Sequence, residues 1–436
     1  MKKAYLSTLG CKVNQFETAA LKTDSEKLGL QVTGQIEEAD YIIINTCTVT
    51  AKAGAESRRE IRKAARLNNC AVIVVTGCHA QLAAEELRKI PDIDPSRLMI
   101  VGNDHKDQLV SDILKTQVNM SDPTVAEIQT VTEILDLTVN KFDGRTRAYL
   151  RVQDGCESYC SYCIVPYARG KSRSLPFKDV LSQAAKYAKS GHKEIVITGI
   201  HVGNYGLDLD ENHTITSLIE LLCNDFPELR FRLSSIEPLE IQSDLLKLME
   251  EMDNFMPHLH IPLQSGDNDI LRRMNRRYTA EQFIDIVEEC RKQLTDAAIG
   301  LDVLVGFPGE TDALFSNTVS LLESLDFTYL HVFPYSKRPG TKAASFSDQV
   351  EPSVKQQRVK RLRSLSDKKK KAFYSRFVHS RRRALLETEK FAEGILKGYT
   401  DNYIPIRVEK PDTIPTKPVV VELDKLSGNA MLAHIP

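Results

Sequence analysis

Short runs rich in β-branched residues alternate with polar helical stretches through the first third of the chain. Strands separated by helices favour an open parallel sheet covered by the helices. The pattern therefore predicts an α/β, Rossmann-like domain over residues 1–115. Its predicted elements, in order, are Ala4–Leu9, Glu17–Leu28, Asp40–Asn45, Lys52–Leu67, Ala71–Thr76 and Ala80–Lys89.

The same alternation continues for six further units over residues 141–350. Six strand–helix units predict a partial (β/α)6 barrel, short of the full eight, with its chemistry at the C-terminal ends of the strands. Residues 116–140 carry little pattern and are predicted to form a linker. The predicted strands are Ala148–Gln153, Glu194–Ile200, Arg230–Ile236, His258–Leu263, Ala298–Val305 and Tyr329–Phe333.

The C-terminal part of the chain changes in charge and then in pattern. Residues 355–383 contain 13 Lys or Arg and one acid, whereas residues 1–354 contain 39 bases and 50 acids, a net charge of −11. The contrast predicts a basic helical connector over 351–383 and an anionic macromolecule as its partner. Short alternating runs over 384–436 predict a small β-barrel, with strands at Gly394–Tyr399, Tyr403–Val408 and Val419–Leu423.

Composition limits where such a chain can work. Its 436 residues contain no apolar run long enough to cross a membrane, and Met1–Gly10 lacks the apolar stretch of a signal peptide. We therefore expect a cytoplasmic protein with no membrane partner. Nine widely spread cysteines in a reducing compartment indicate metal ligands or reactive thiols rather than disulfides.

Three cysteines share one short loop after the first strand of the predicted barrel, at Cys156, Cys160 and Cys163. Three thiolates so close together can hold three irons of a four-iron cluster and leave the fourth iron open to a small molecule. A structural zinc site is the alternative, but it usually takes four ligands and no histidine lies in this loop. The spacing predicts a 4Fe–4S cluster.

A second set, Cys11, Cys47 and Cys78, recurs at intervals of about one strand–helix unit. Each follows a predicted strand by one or two residues, so adjacent parallel strands would bring the three loops together at one edge of the sheet. Nearby helix N-termini would favour the thiolate form. The alternative is three buried structural cysteines, which is how we interpret Cys70, Cys223 and Cys290.

The C-x3-C-x2-C loop, with aromatic Tyr162 before its last cysteine, resembles the radical S-adenosylmethionine superfamily. The whole chain resembles the methylthiotransferases of that superfamily, which carry an auxiliary 4Fe–4S cluster on an N-terminal domain and end in a small RNA-binding TRAM barrel, an OB-like fold. The motifs that carry this resemblance are Thr8–Gln15, Gly155–Gly170, Thr198–His201, Pro262–Gly266 and Gly306–Thr311.

The resemblance implies two 4Fe–4S clusters and S-adenosyl-L-methionine as cofactors. One S-adenosylmethionine methylates the incoming sulfur at the Cys11 set; a second, at the Cys156 set, supplies a 5′-deoxyadenosyl radical. The product is a C–S bond at C2 of an adenosine 3′ of the tRNA anticodon, in a loop whose bases can be splayed out. The two clusters must therefore face one another.

Three substrates suit this family: threonylcarbamoyl-adenosine in tRNA, isopentenyl-adenosine in tRNA, and an aspartate of a ribosomal protein. The Gly-Cys-Lys-Val-Asn-Gln sequence at Cys11 and the Thr-Gly-Ile-His sequence at Thr198–His201 resemble the threonylcarbamoyl type most. The expected partners are a tRNA anticodon stem-loop and a reductant such as flavodoxin or ferredoxin, and not DNA. A non-enzymatic iron–sulfur RNA-binding protein is the rival from another class.

The family places further residues around the cofactor and the RNA. Tyr162 is expected to pack on the cofactor adenine, although a plain core role is the alternative. Simple turn, cap or packing roles compete with direct contact for the strand-end residues, and packing or hydrogen bonding is favoured over metal binding for His258 and His260. The strand-end residues expected at the cofactor are Thr198, Gly199, Gln264 and Gly306. The expected RNA contacts are Arg169, Lys171, Arg173, Arg358, Arg361, Lys368 and Arg381, against the alternative of a solvated basic face.

Overall fold

Three structural units follow one another in a computed structural model, which describes residues 1–91, 93–115, 125–210, 212–392, 394–409, 415 and 417–436. The units are a parallel sheet, a partial barrel and a small closed β-barrel, so the predicted fold class is confirmed. Residues 116–124 of the predicted linker lie outside the described residues. No described helix combines the length and the apolar character needed to cross a membrane.

The N-terminal unit is built from β1 (Lys3–Thr8), α1 (Lys12–Lys27), β2 (Gln31–Val32), β3 (Tyr41–Thr46), α2 (Ala51–Leu67), β4 (Val72–Gly77), α3 (Cys78–Arg88), β5 (Leu98–Ile100) and α4 (Leu109–Leu114). All pairs in the sheet are parallel, and the strand order is β2-β1-β3-β4-β5. Ile42 and Ile44 pack under α2 and α3, while Ile43 packs under α1 and α4. Because both faces are covered, β3 is apolar along most of its length.

The barrel unit is built from β6 (Arg147–Arg151), β7 (Gln153–Asp154), α5 (Val165–Arg169), β8 (Arg173–Ser174), α6 (Phe177–Lys189), β9 (Glu194–Thr198), α7 (Ile215–Asp225), β10 (Arg230–Leu233), α8 (Ser243–Glu251), β11 (His258–Gln264), α9 (Asn268–Arg273), α10 (Ala280–Gln293), β12 (Ala298–Val305), α11 (Asp312–Ser324) and β13 (Tyr329–Pro334). Two parallel three-stranded sheets, β6-β9-β10 and β11-β12-β13, carry the six predicted strands. Isolated parallel bridges at Phe231–Phe255 and Ser235–His260 join the two sheets into one curved wall. The wall is a partial barrel, as predicted.

The open side of the barrel is partly covered by the N-terminal unit. Phe16 and Ala20 of α1 belong to the same buried core as Leu150 of β6. At the far edge, α12 (Pro352–Ser375) lies along β13, and Ser366 Oγ accepts a hydrogen bond from the backbone N–H of Leu330 at 2.9 Å. The sheet domain and the basic helix are therefore packed on opposite edges of the wall.

The C-terminal unit is a closed barrel with strand order β14-β15-β16-β18-β17. Its strands are β14 (Arg381–Ala392), β15 (Ile395–Thr400), β16 (Pro405–Glu409), β17 (Val419–Ser427) and β18 (Ala430–His434). The basic helix ends at Ser375, and the prediction that it continues to about Arg383 is wrong. Residues 381–384 pair with β17 instead, so the predicted boundary at 384 falls inside β14. A charge count cannot separate a basic helix from a basic strand that follows it.

One fully buried carboxylate holds the lower part of the barrel wall together. Glu194 accepts from Arg147 Nε at 2.7 Å and lies 3.2 Å from Nε of both Arg230 and Arg232. Burial acts to raise the pKa of Glu194, but the three guanidinium groups outweigh burial and hold the pKa far below its ordinary value of 4.5. The ionised carboxylate is therefore part of the folded barrel.

We expect Glu194→Gln to lower the free energy of unfolding by about 3–5 kcal/mol at neutral pH, because the buried Arg230 and Arg232 and the partly buried Arg147 lose their shared partner. The carboxylate stabilises the fold above its unfolded-state pKa, and this contribution falls as the pH drops below about 4.5. Urea midpoints should therefore differ widely at neutral pH and converge in acid. Exposed Glu220→Gln is the matched control, and a gap that does not change with pH would contradict the assignment.

Candidate functional site

The first set of cysteines lies at the C-terminal edge of the N-terminal sheet. The strands pair in register there, with Thr8 opposite Asn45 and Asn45 opposite Thr76. Parallel strands end at the same edge of a sheet, so the loops that follow this row converge. Three thiols lie in those loops and are close enough to affect one another's ionisation: Cys11, Cys47 and Cys78.

Two glycines allow the loops to approach this closely. Gly10 has φ +101°, and a Cβ at this position would lie 2.7 Å from the Cβ of Cys47. Gly77 has φ +95°, and a Cβ there would collide with the backbone oxygen of Thr46. Any other residue would be strained in conformation and would push the loops apart.

Asn14 ties two of the loops together at the start of α1. Its Nδ2 donates to the backbone oxygens of Leu9 at 2.8 Å and Thr46 at 3.0 Å, and its Oδ1 lies 3.7 Å from Cys11 Sγ. The backbone oxygen of Asn14 in turn accepts from Asn45 Nδ2 at 3.0 Å. These hydrogen bonds therefore hold the loops together without help from a metal.

The thiols of this set suit an electropositive ligand. Cys47 and Cys78 are buried, whereas Cys11 is open to solvent at the set's outer side. Burial above all, together with the neighbouring thiols of Cys78 and Cys11, raises the pKa of Cys47 to about 11. Three thiolates so placed are favoured only when positive charge lies between them, which iron supplies. The donor set therefore fits an iron–sulfur cluster.

Arg169 reaches from the end of α5 into this first set. Its Nε donates to Cys78 Sγ at 3.3 Å, and its other nitrogens donate to Asn14 Oδ1 at 2.7 Å and Glu17 Oε1 at 2.5 Å. On the barrel side it lies 3.2 Å from the carboxylate of Asp154. The prediction that Arg169 contacts RNA is wrong, because its side chain is buried between the two units.

Two more arginines expected at the RNA serve inside the fold instead. Arg173 is buried beneath Arg169 and donates to its backbone oxygen at 2.5 Å. Arg358 is buried on α12 and pairs with Glu310 at 2.6 Å and Asp312 at 2.7 Å. Sequence charge could not distinguish paired cations from free ones. The other expected RNA contacts are exposed, namely Lys171, Arg361, Lys368 and Arg381. Of these, Arg381 pairs with Glu422.

The second set of cysteines lies in the loop between β7 and β8, at the C-terminal end of the barrel. Gly155 opens the loop with φ +78°, and a Cβ there would collide with the backbone of Lys171. The backbone N–H of Cys156 donates to Gly170 O at 3.0 Å, and that of Cys163 donates to Cys160 O at 2.9 Å. These bonds fold the loop back on itself, so its three thiols are brought together.

Basic side chains surround the sulfur atoms of this second set. His201 Nδ1 lies 3.5 Å from Cys156 Sγ, and Arg276 Nη1 donates to Cys160 Sγ at 3.3 Å. Burial acts to raise the pKa of Cys156, but the hydrogen bonds from His201 and Ser158 outweigh burial and lower the pKa. The surroundings therefore favour the thiolate form of Cys156, as a ligand of iron must be, whereas burial raises the pKa of Cys163 to about 12.

The residues expected at the cofactor lie around the same end of the barrel. Thr198 and Gly199 close β9, and a Cβ on Gly199 would lie 2.8 Å from Gln153 Oε1. Gln264 ends β11 with φ +63°, and the N–H of Gly306 donates to Glu310 Oε2 at 2.5 Å. Their contact with the cofactor stays a prediction.

The aromatic residue of the loop packs into a small apolar cluster. The Tyr162 ring lies 6.5 Å from that of Phe307, nearly perpendicular to it. Ile270, Met274 and Tyr335 belong to the same cluster. This packing fixes one side of the loop, and a contact between Tyr162 and the cofactor adenine stays a prediction.

Histidines line the lumen of the barrel. His258 hydrogen bonds to the Tyr329 hydroxyl at 2.8 Å, and His260 to Asp302 at 2.8 Å. His331 lies 3.3 Å from the same Asp302 oxygen. The hydrogen bonds expected of His258 and His260 are present. His260, Asp302 and His331 also have ligand atoms within 4.8 Å of one another, a spacing that a metal ion would accept.

Sequence reasoning missed the residues that hold the sulfur atoms in place. Asn14 and His201 lie inside motifs already singled out, at Thr8–Gln15 and Thr198–His201, so their position was a usable signal. Arg276 lies in none of the motifs, and only the packing of the loop after α9 brings it to Cys160. Of the cysteines interpreted as packing residues, Cys223 and Cys290 are buried, whereas Cys70 is exposed, so that interpretation is wrong for Cys70.

Known protein families match both units that carry the cysteine sets. Residues 150–322 match the family model of the radical SAM superfamily, and residues 3–97 match that of the uncharacterized protein family UPF0004. A protein of Bacillus subtilis (strain 168) named threonylcarbamoyladenosine tRNA methylthiotransferase MtaB is 39% identical over 96% of this chain and 93% of its own. A protein of the same name from Aquifex aeolicus (strain VF5) is 38% identical over 94% and 97%.

A relative with a different printed substrate also matches. The tRNA-2-methylthio-N(6)-dimethylallyladenosine synthase of Fusobacterium nucleatum is 34% identical over 84% of each chain. Among solved structures, the radical S-adenosylmethionine methyltransferase TsrM from Kitasatospora setae aligns with a TM-score of 0.58 at 16% identity, covering 79% of this chain and 77% of its own. That likeness concerns the fold alone.

Three findings agree with one another. Relatives are 39% and 38% identical over more than nine tenths of the chain, the barrel matches the radical SAM model, and the fold brings the cysteines together in two sets of three. A radical SAM domain implies a 4Fe–4S cluster and S-adenosylmethionine. The chain belongs to the tRNA methylthiotransferase family of radical S-adenosylmethionine enzymes.

Proposed function

We propose that this chain converts N6-threonylcarbamoyladenosine, 3′ of the tRNA anticodon, to its 2-methylthio derivative, using two S-adenosylmethionine molecules per turnover. The observation that carries the proposal is Arg169, whose side chain touches the first cysteine set while its backbone belongs to the segment that closes the second. Two metal centres that share one junction can act on one base held between them.

The proposal assigns one cluster to each cysteine set. Residues 1–115 carry the auxiliary cluster on Cys11, Cys47 and Cys78, and residues 141–350 carry the radical SAM cluster on Cys156, Cys160 and Cys163. When bound, the clusters and S-adenosylmethionine supply the sulfur and a 5′-deoxyadenosyl radical for bond formation at C2. Thr198, Gly199, Gln264, Gly306 and Tyr162 are assigned to S-adenosylmethionine.

The chain's own groups hold the sulfur atoms and tune them. Hydrogen bonds to cluster sulfur atoms raise the reduction potential, and their loss lowers it. Arg169 acts in this way on Cys78, Arg276 on Cys160 and His201 on Cys156. His201 is fixed in turn by Glu240 at 2.5 Å, which sets the orientation of the ring.

The substrate assignment rests on likeness to the relatives named for threonylcarbamoyladenosine, which are 39% and 38% identical over more than nine tenths of the chain. The relative named for dimethylallyladenosine matches over a smaller share. A ribosomal-protein aspartate is the third candidate of the family. The anticodon stem-loop is proposed to contact exposed basic side chains. These are Lys171 beside the second cysteine set, the lysines and arginines of α12 including Arg361 and Lys368, and Arg381 at the start of β14.

The proposal includes a reductant and a compartment. A low-potential electron donor such as flavodoxin or ferredoxin would reduce the cluster of the second set, which lies beside an exposed Tyr159 in the loop. The proposed compartment is the cytoplasm, because tRNA, S-adenosylmethionine and such electron donors occur together there.

Iron content tests the assignment of the two clusters. We expect about eight irons per chain in anaerobically reconstituted protein, four for each cluster. Replacing either set of three cysteines by alanine should leave about four irons, whereas exposed Cys70→Ala should keep the full content. About four irons in the unaltered protein would sink the two-cluster arrangement.

Salt dependence tests the basic helix as an RNA contact. Lys360 and Lys368 are both exposed on α12. We expect the double variant Lys360→Gln, Lys368→Gln to bind tRNA more weakly and to reduce the slope of log affinity against log salt by about 2, because each contact with a phosphate releases about one counterion. Lys247→Gln on α8, which is also exposed but lies on the barrel surface, is the control. An unchanged slope would remove α12 from the interface.

Nucleoside analysis tests the reaction. A deletion strain should lose the methylthio form of threonylcarbamoyladenosine while its isopentenyladenosine derivatives persist. Purified protein given S-adenosylmethionine and a reductant should release 5′-deoxyadenosine and restore the modification. Loss of the isopentenyl derivatives would move the substrate assignment, and reduced clusters that release no 5′-deoxyadenosine would favour a binding protein without turnover.

A further inference from the structure

A polar cavity of about 300 Å³ opens where the three units meet. Lys12 of the N-terminal unit, Arg147, Arg232 and His258 of the barrel, and Tyr403 of the C-terminal barrel line it. Its volume is at the lower end of small-molecule sites, about 300–1,000 Å³. Nothing in the proposed handling of sulfur or S-adenosylmethionine uses these side chains.

The cavity carries an excess of positive charge. Lys12, Arg145, Arg147 and Arg232 line it, and Glu387 is the one carboxylate among its described lining residues. Arg147 and Arg232 also share the buried carboxylate of Glu194 behind the wall, so Lys12 and Arg145 are the lining cations without a carboxylate partner in the part of the chain that the structure describes. Glu387 is already paired with Arg147 at 2.9 Å. Lys12 Nζ has no hydrogen bond or ion pair within the described part of the chain. The cavity therefore suits an anion.

Buried nitrogens that line the cavity lack partners. Arg232 is 2% exposed and His258 is 5% exposed, yet Arg232 Nη1 and His258 Nδ1 have no hydrogen-bond partner among the described residues. The same holds for Arg147 Nη2. Buried polar groups are almost always paired, so unpaired ones around a single cavity indicate a ligand that is polar and able to accept hydrogen bonds.

The cavity adjoins the first cysteine set. Lys12 directly follows Cys11 and begins α1, so one residue of the cavity lining is joined by a peptide bond to a cysteine of that set. Tyr149 and Val196 of the barrel wall also line it. A base held between the two cysteine sets could therefore extend a substituent into this space.

We infer that this cavity binds the carboxylate of the N6 substituent of the target adenosine, with Lys12 and Arg232 as its cationic partners. The inference rests on the proposed function and deepens it. A threonylcarbamoyl group ends in a carboxylate and a hydroxyl, which match the Lys12 ammonium, the free Nη1 of Arg232 and the free imidazole nitrogen of His258. An isopentenyl group offers no acceptor and would leave these buried groups unpaired, which is how a site rejects an analogue.

A change in the ligand, combined with a change in the protein, tests the inference. Three anticodon stem-loops are compared, bearing the threonylcarbamoyl acid, its carboxamide, or isopentenyladenosine. Reconstituted wild-type chain should bind the acid about 10- to 100-fold more tightly than the carboxamide, and kcat/KM should show the same preference. Lys12→Met should reduce that ratio to within a few fold, and Lys12→Arg should retain part of it.

Lys27→Met is the matched control, because Lys27 is exposed at the other end of the same helix and should leave the ratio unchanged. Iron content is measured for each variant. If Lys12→Met loses iron, Arg145→Met in the cavity wall supplies the same comparison. A wild-type ratio near one, or an unchanged ratio in both cavity variants, would overturn the inference.

Two further outcomes separate this inference from the proposed function. Conversion of the isopentenyl stem-loop but not the threonylcarbamoyl one contradicts both. Conversion of the threonylcarbamoyl acid and carboxamide with equal efficiency contradicts only the cavity assignment. Equal weakening of all three stem-loops by Lys12→Met would identify an RNA phosphate as the anion, and would likewise overturn the carboxylate assignment.

Discussion

The guanidinium of Arg169 is buried where the N-terminal sheet meets the barrel, and much of the site depends on its neutralisation there. A buried cation is costly unless it is paired on every side. Glu17 supplies one carboxylate from α1 and Asp154 another from the barrel, while Lys106 Nζ binds Glu17 from the opposite side at 2.5 Å. Because these partners come from different units, the network sets how the two units dock.

That docking brings the two cysteine sets to one junction between the units. Each set lies beyond the C-terminal ends of parallel strands, where loops converge and helices begin. Two separate domains would present two separate metal sites. With α1 packed on β6 through Phe16, and Arg169 in contact with Cys78, the chain has one junction that both sets share. Chemistry that needs two centres around one base requires this arrangement.

The same junction explains the polar lumen of the barrel. Partial barrels leave an open side, and here α1 partly closes that side with Lys12 directed to a cavity shared with Arg232 and His258. The C-terminal barrel contributes Glu387 and Tyr403 to the same space, and Arg232 lies 4.7 Å from the Tyr403 ring centre. The C-terminal barrel thus forms part of the wall of this cavity.

The sequence determined the α/β alternation, the six strands of the barrel and both cysteine sets, because hydrophobic period and ligand spacing are local properties. It did not determine what the charged residues do. Nothing in the sequence distinguishes Arg169 and Arg358 from arginines that contact RNA. Tertiary packing nevertheless places each of them against carboxylates far away in the chain. Lys12 shows the converse: the sequence places it in a family motif but gives it no role, and the fold makes it line a cavity built from three units. Ion pairing and cavity walls depend on which distant residues the fold brings together, and only the tertiary structure decides that.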